Sequence, residues 1–144
     1  MPFNTAAAAW NRRIIDDFRA HDGKVTIPPF VGADLLLLTT VGAKSGIRRT
    51  TPLGFTRDGE RLVIAGSNSG EPTDPAWVTN VAAQPMVEVE AGAERFRARA
   101  TIATGAERER LWARHIARIP AFAGYERMTD RQIPVVVLER LADG

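Results

Sequence analysis

At 144 residues, with 44% hydrophobic and 25% charged side chains, the sequence has the composition of one soluble globular domain over residues 1–144. It contains no Cys, which excludes disulfide staples and suits a reducing compartment, and no apolar run approaches the ~20 residues of a membrane-spanning helix. The net charge is +2, yet residues 41–57 hold Lys44, Arg48, Arg49 and Arg57 with no acid, a local +4 that leaves −2 for the rest; this predicts a focused anion site rather than a broad nucleic-acid-binding face.

In chain order, the opening MPFNTAAAAWNRR places its cations after a short apolar run, the reverse of a secretory leader, so a cytoplasmic location is expected. Thr5 to Ala20 reads as a helix, with Trp10, Ile14 and Phe18 at i, i+4, i+8 and Ile15 widening the stripe. Asn4 or Thr5 can cap it and Gly23 ends it, which gives a helical segment of about residues 5–22. Pro28 and Pro29 make an extended connector. Asp34 to Val41 predicts a buried strand and Thr50 to Thr56 a second. Asp58-Gly59 signals a hairpin turn into a third strand at Leu62 to Ser67. Asp74 before Pro75 predicts a cap for a short helix from Pro75 to Ala83. Met86 to Ala91 and Arg95 to Ile102 are strands about a turn at Gly92. Thr104 and Glu107 have the spacing of a capping box opening a helix to about Ile119, with Leu111, Trp112, His115 and Ile119 inward. Residues 119–134 read as irregular or one helical turn, and Ile133 to Leu138 is a last strand. Hairpins with helices grouped at the ends predict an α+β fold with six strands in an antiparallel or mixed sheet and flanking helices, not a doubly wound nucleotide fold.

Much chemistry is missing. The two His, His21 and His115, lie in no zinc-ligand spacing, so no metal site is expected. No G-x-S-x-G is present. His115 reads as a packing residue, and Asp16 and Asp17 as a solvated helix face. Two stretches stand out. In TTVGAKSGIRRTTPL, Gly42 and Gly46 permit close backbone approach, Ser45 adds a hydroxyl, Lys44 a point charge and Arg49 a fork-shaped donor. An anion cradle and a solvated basic hairpin account for these residues about equally well. In AGSNSGEPTDPAWVTN, Ala65, Gly66 and Ser67 are small where a strand ends. Trp77 and Asn80 share a helix face; core packing explains Trp77, whereas a buried Asn80 amide needs partners.

Taken as a set, LLLTTVGAKSGIRRTTPL, VIAGSNSGEPTDPAWVTN and TDRQIPVVVLER resemble the deazaflavin-dependent nitroreductase family, whose members are small oxidoreductases using coenzyme F420 to reduce quinones or nitro compounds. The resemblance covers about residues 34–140 and implies a split β-barrel of the FMN-binding kind. It implies that Gly42, Lys44, Ser45, Gly46 and Arg49 hold the acidic tail of F420. Thr51, Pro52 and Leu53 would touch the deazaflavin ring by their main chain. Ala65, Gly66, Ser67 and Asn68 would flank that ring, with Trp77 and Asn80 closing the site. Phe122, Tyr125 and Met128 would line the pocket for a small-molecule electron acceptor (a quinone, nitroaromatic or enone). Family members often carry several Tyr in that segment, where this chain keeps only Tyr125. Ser67 and Tyr125 are then the candidate catalytic hydroxyls that stabilise the reduced acceptor. The same cations would serve FMN in a related oxidoreductase, or a non-catalytic F420 carrier. Nucleic-acid binding is disfavoured because the basic loop has no interleaved aromatics. A homodimer is common among split barrels, and the amphipathic first helix raises peripheral membrane contact, with packing on its own barrel the commoner use.

Overall fold

A computed structural model describes residues 5–142; the Asn4 cap falls outside them. The elements are α1 (Thr5–Ala20), β1 (Leu35–Val41), β2 (Arg48–Gly54), β3 (Thr56–Asp58), β4 (Arg61–Ala65), a 3-10 turn (Asn68–Gly70), α2 (Ala76–Ala83), β5 (Met86–Ala91), β6 (Glu94–Ile102), α3 (Gly105–Arg118), α4 (Ala121–Arg127) and β7 (Val135–Arg140). Seven strands pair in the order β2-β1-β5-β6-β7-β4-β3, every neighbour antiparallel. This corrects the expected six strands and the mixed option. The predicted second strand breaks at Phe55, whose N–H donates to Asp34 O (3.1 Å) while its ring turns into the core. The chain then leaves β1 and pairs with β4 instead. β2 and β3 therefore sit at opposite edges of the sheet order with one residue between them, so the sheet must curl until its edges meet at that corner.

The curl covers β1, β4 and the first part of β7 on both faces. Leu36 and Leu38 point inward with Leu62, Ile64, Val136 and Leu138, and Trp77, Val78 and Val81 of α2 join this cluster. Leu35 and Leu37 point outward against Ile14, Ile15 and Phe18 of α1. Val63, Ala65, Val135 and Val137 face Leu111 and Trp112 of α3 and Phe122 of α4. The unbroken Leu35–Leu38 run thus reflects a strand buried on both sides, each leucine contributing about 1.5–3 kcal/mol of burial. The stripe of α1 that raised membrane contact is used on this sheet. Among the described residues, no helix is long and apolar enough to cross a membrane.

Several local expectations need correction. Asp74 does not cap α2: Pro75 occupies the cap position, and Asp74 pairs with Arg131. Thr104 precedes α3 without a side-chain cap bond, and Glu107 reaches Arg61 (3.4 Å) instead. Residues 121–127 form a real helix, α4. Asp17 is not merely solvated: its carboxylate accepts from Thr26 N (2.6 Å) and Thr26 Oγ1 (2.7 Å), which fastens α1 to the following connector and lowers its pKa.

Candidate active site

The loop between β1 and β2 is closed by its own hydrogen bonds. Gly42 N donates to Ile47 O (2.9 Å), Gly46 N to Gly42 O (3.0 Å) and Ile47 N to Ser45 Oγ (3.1 Å). A Cβ on Gly42 would lie 2.3 Å from Ser45 Oγ, so a side chain there would push the Ser45 hydroxyl off Ile47 N. Asn80, buried on α2, anchors the loop from below: its Oδ1 accepts from Ala43 N (3.0 Å) and its Nδ2 donates to Thr40 Oγ1 (3.1 Å). These are the partners that a buried amide at position 80 required. Of the loop amides, only those of Lys44 and Ser45 lack an acceptor among the described residues. The Ser45 hydroxyl proton is also uncommitted, since its oxygen serves as acceptor. Lys44, Ser45, Gly46 and Arg49 are all exposed.

The four cations counted along residues 41–57 separate in space. Arg48 reaches Glu88 of β5 (2.5 Å), and Arg48 and then Arg95 hold the Glu88 carboxyl below its usual range. Arg57 lies beyond the β2–β3 corner. Lys44 is exposed in the loop and Arg49 is exposed at the start of β2.

β2 is an edge strand, and its register decides which main-chain groups it offers. Phe55 bonds to Asp34, so by alternation Leu53, Thr51 and Arg49 also face β1. The main-chain groups of Thr50, Pro52 and Gly54 turn to the open edge. Pro52, which has no N–H to give, is suited to such a position. Of the three residues expected to offer main chain to a ring, Pro52 is the one the strand leaves unengaged. Thr51 and Leu53 are bonded to β1, and the Leu53 side chain packs on the inner core.

At the end of β4 the small residues are used by the protein itself. A Cβ on Gly66 would meet Val78 Cγ2 at 2.6 Å, so its smallness admits α2. Ala65 faces α3 and α4. Trp77 is 5% exposed within the inner core, which is the packing alternative for that side chain. Ser67 is buried, yet its hydroxyl has no protein partner among the described residues. Asn68 and Ser69 take positive φ (50° and 54°), and Asn68 Nδ2 donates to Thr73 O (3.0 Å). This strained segment is held by a residue to which sequence reasoning assigned no role. Arg131 donates to Gly66 O (3.1 Å), Ser67 O (2.8 Å), Glu71 O (3.2 Å) and Asp74 Oδ1 (2.6 Å).

Phe122 and Tyr125 of α4, ring centroids 5.6 Å apart, line a cleft of about 690 Å³ between the 30–34 connector, the β2–β3 corner and the α3–α4 junction. Met128 does not join them; it lies 66% exposed with its side chain over Gly70. Behind Phe122 sits His115, fully buried, with ring centroids 4.5 Å apart. Its Nδ1 bonds Thr56 Oγ1 (3.0 Å), and burial pushes its pKa down to about 4, so it packs as a neutral ring. Among the described residues, no group of three or more His, Cys, Asp or Glu is gathered to hold a metal ion.

Residues 10–140 match the family model described as F420H(2)-dependent quinone reductase. The chain belongs to this family. A curated F420H(2)-dependent quinone reductase of Mycobacterium tuberculosis is 39% identical over 108 residues, covering 73% of this chain and 72% of that protein. The solved structure of an F420-H2 dependent reductase (FDR-A) superposes with a TM-score of 0.68 at 36% identity, covering 74% of this chain and 94% of the other. A structure described as a domain-swapped dimer superposes at 0.70 with 31% identity, covering 95% and 100%. The β1–β2 loop, the edge of β2, the Arg131-held turn and the α4 cleft all lie inside the matched span of the quinone reductase family.

Proposed function

We propose that this chain is an oxidoreductase that binds coenzyme F420 at the β1–β2 loop and reduces a quinone in the neighbouring cleft. One observation carries this reading beyond family membership. A loop closed on itself and anchored by a buried Asn80 presents two cations, two uncommitted amides and a hydroxyl proton to solvent. Those groups fit an acidic, phosphate-bearing tail. Bound reduced F420 supplies a hydride to the acceptor. Lys44 and Arg49 contribute charge, and Ser45 one hydroxyl donor, to tail binding. The open edge of β2 at Pro52 and the turn at Ser67 and Asn68 border the ring position. The Ser67 and Tyr125 hydroxyls donate hydrogen bonds to the acceptor oxygen as negative charge grows on it. Phe122 and Tyr125 provide an aromatic wall, and Gly54 leaves that wall open. Trp77 and Asn80 act from beneath, as packing and as anchor. Nitroaromatics and enones are acceptors of the same chemical demand. The split-barrel description, a cytoplasmic location and a homodimer belong to this reading, the last supported by the relative described as a domain-swapped dimer.

Deazaflavin titration followed by tryptophan quenching tests the cradle. Lys44→Ala and Arg49→Ala are each expected to weaken binding by about 1.5–3 kcal/mol, the worth of a charge-assisted hydrogen bond. The Lys44 variant should keep the parental unfolding midpoint, because an exposed loop cation adds little stability. Parental affinity in both variants would remove the cradle.

A further inference from the structure

The cleft beside Tyr125 has an electrostatic character that reduction of a neutral quinone does not need. Its wall is apolar, from Phe30, Leu35, Phe55, Ile119, Phe122 and Tyr125. Arg57, Arg114 and Arg118 also line it, all exposed, against Asp34 as the single carboxylate of the lining. Many surface guanidiniums elsewhere are matched to acids, among them Arg19 to Glu90, Arg48 and Arg95 to Glu88, Arg61 and Arg110 to Asp58, Arg131 to Asp74 and Arg140 to Glu94. The three at the cleft differ. Arg114 donates to the main-chain carbonyl of Arg57 (2.9 Å), and Arg57 lies over the Phe55 ring (5.3 Å). Arg118 has no hydrogen bond, ion pair or ring contact among the described residues. Among the described residues, none of the three forms an ion pair with a carboxylate. Like charges gathered at an apolar-walled cleft repel one another and raise the local positive potential, an arrangement that favours an anion.

We propose that Arg57, Arg114 and Arg118 select electron acceptors that carry an anionic group beside an aromatic ring, such as a quinone with a carboxylate substituent. The ring would lie on Phe122 and Tyr125, and the carboxylate would take charge-assisted hydrogen bonds from the guanidiniums. That the ligand is an acceptor rests on the reductase reading above; the anion preference rests on the cleft alone.

The test compares 3-(1,4-naphthoquinon-2-yl)propanoate with its methyl ester, two ligands with the same ring and different charge. Their binding to the cofactor-free protein is read by quenching of tryptophan emission, since Trp112 lies edge-on to Phe122 at 6.4 Å. The acid should bind about fivefold more tightly than the ester at low salt, an advantage that shrinks as salt screens the rim. Arg118→Glu should abolish the advantage and leave the ester within about twofold of the parent. Equal binding of acid and ester by the parent overturns the proposal, as does an advantage that survives Arg118→Glu combined with Arg57→Glu. The same variants should bind deazaflavin as the parent does. A tenfold loss there would place the cofactor's acidic tail on these arginines and would also overturn it. Reduced-deazaflavin oxidation is then assayed with both quinones. No turnover beside an intact acid preference refutes the reductase reading while upholding the anion-selective cleft.

Discussion

Asn80→Leu separates anchoring of the loop from its charge. The substitution keeps the side-chain volume roughly constant on a buried face of α2 and removes both amide contacts, to Ala43 N (3.0 Å) and Thr40 Oγ1 (3.1 Å). The two ends differ in what they leave behind. Ala43 is exposed, so its N–H turns to water at little cost, whereas Thr40 is 2% exposed and its hydroxyl has no water to turn to. A net hydrogen bond is worth about 1 kcal/mol, and an abandoned buried polar group costs about 1–3 kcal/mol. Urea unfolding should therefore show a loss of about 1–3 kcal/mol, mostly arising at Thr40. The bonds from Gly42 N, Gly46 N and Ile47 N survive, so the loop keeps its shape and loses its attachment. Re-ordering one backbone residue on binding costs about 1–2 kcal/mol, so deazaflavin affinity should fall roughly five- to thirtyfold. Thr40→Val is the control: it removes the hydroxyl but leaves Asn80 Oδ1 bonded to Ala43, so affinity should stay within about twofold of the parent. Parental affinity in Asn80→Leu would refute the anchoring argument, as would equal affinity losses in the two variants.

Arg131→Ala should destabilise the protein by about 2–3 kcal/mol, because four acceptors lose one largely buried guanidinium; Arg131→Lys should restore only a minor part, since a point charge cannot reproduce the fork. Hydrogen exchange of residues 66–74 reports it, and unchanged protection there would remove the clamp. His115 is held neutral with its pKa pushed down to about 4, below an unfolded value of about 6.5, so the unfolded chain binds the proton first. Its contribution is full above about pH 6.5, falls by about 2 kcal/mol by pH 5 and by about 3 kcal/mol by pH 4. The unfolding free energy of His115→Gln, subtracted from the parental profile between pH 7 and pH 5, should show that slope; parallel profiles would contradict it. Ser67→Ala and Tyr125→Phe should each lower kcat for quinone reduction by roughly 3 kcal/mol of barrier while deazaflavin affinity changes little. A parental kcat in either variant dismisses that hydroxyl from the chemistry.

What the sequence revealed and what it withheld follow from how local each signal is. The Leu35–Leu38 run, the Asp58-Gly59 turn and the α3 stripe are local patterns, and each element appears where its pattern lies. The β2–β3 break is not local. Phe55 could have continued the ladder, and leaves it only because the sheet's other edge arrives at the same corner. Likewise Thr104 with Glu107, and Asp74 with Pro75, have capping spacing, but the acids are drawn to Arg61 and Arg131 from distant elements, where a charged partner outcompetes a main-chain amide. At the site, the Lys44–Arg49 cluster was legible as charge, and Asn80 as an amide in need of partners. The role of Arg131 was not, because three of its four acceptors are main-chain carbonyls 60 to 65 residues away, which carry no side-chain signature. Arg114 and Arg118 read as ordinary polar positions on α3 until the curl brings Arg57 beside them.

The two ends of β2 are what the curl sets to different tasks. Arg49, at the loop end, lies five residues from Gly54 at the cleft end, about 17 Å along an extended strand. A single compact ligand cannot engage both, whereas an elongated one lying along an open strand edge can. The register leaves that edge with unpaired main-chain groups at alternate positions, and the Pro at its centre needs no partner for a missing N–H. An unpaired edge normally invites association with another strand. Here the curl brings the Gly54 end of that edge into the lining of the cleft, and in the proposed reading a flat ring takes the place of a neighbouring strand. The same geometry separates the cations of the loop from those of the cleft, so a tail and an acceptor can each meet positive charge without competing for it.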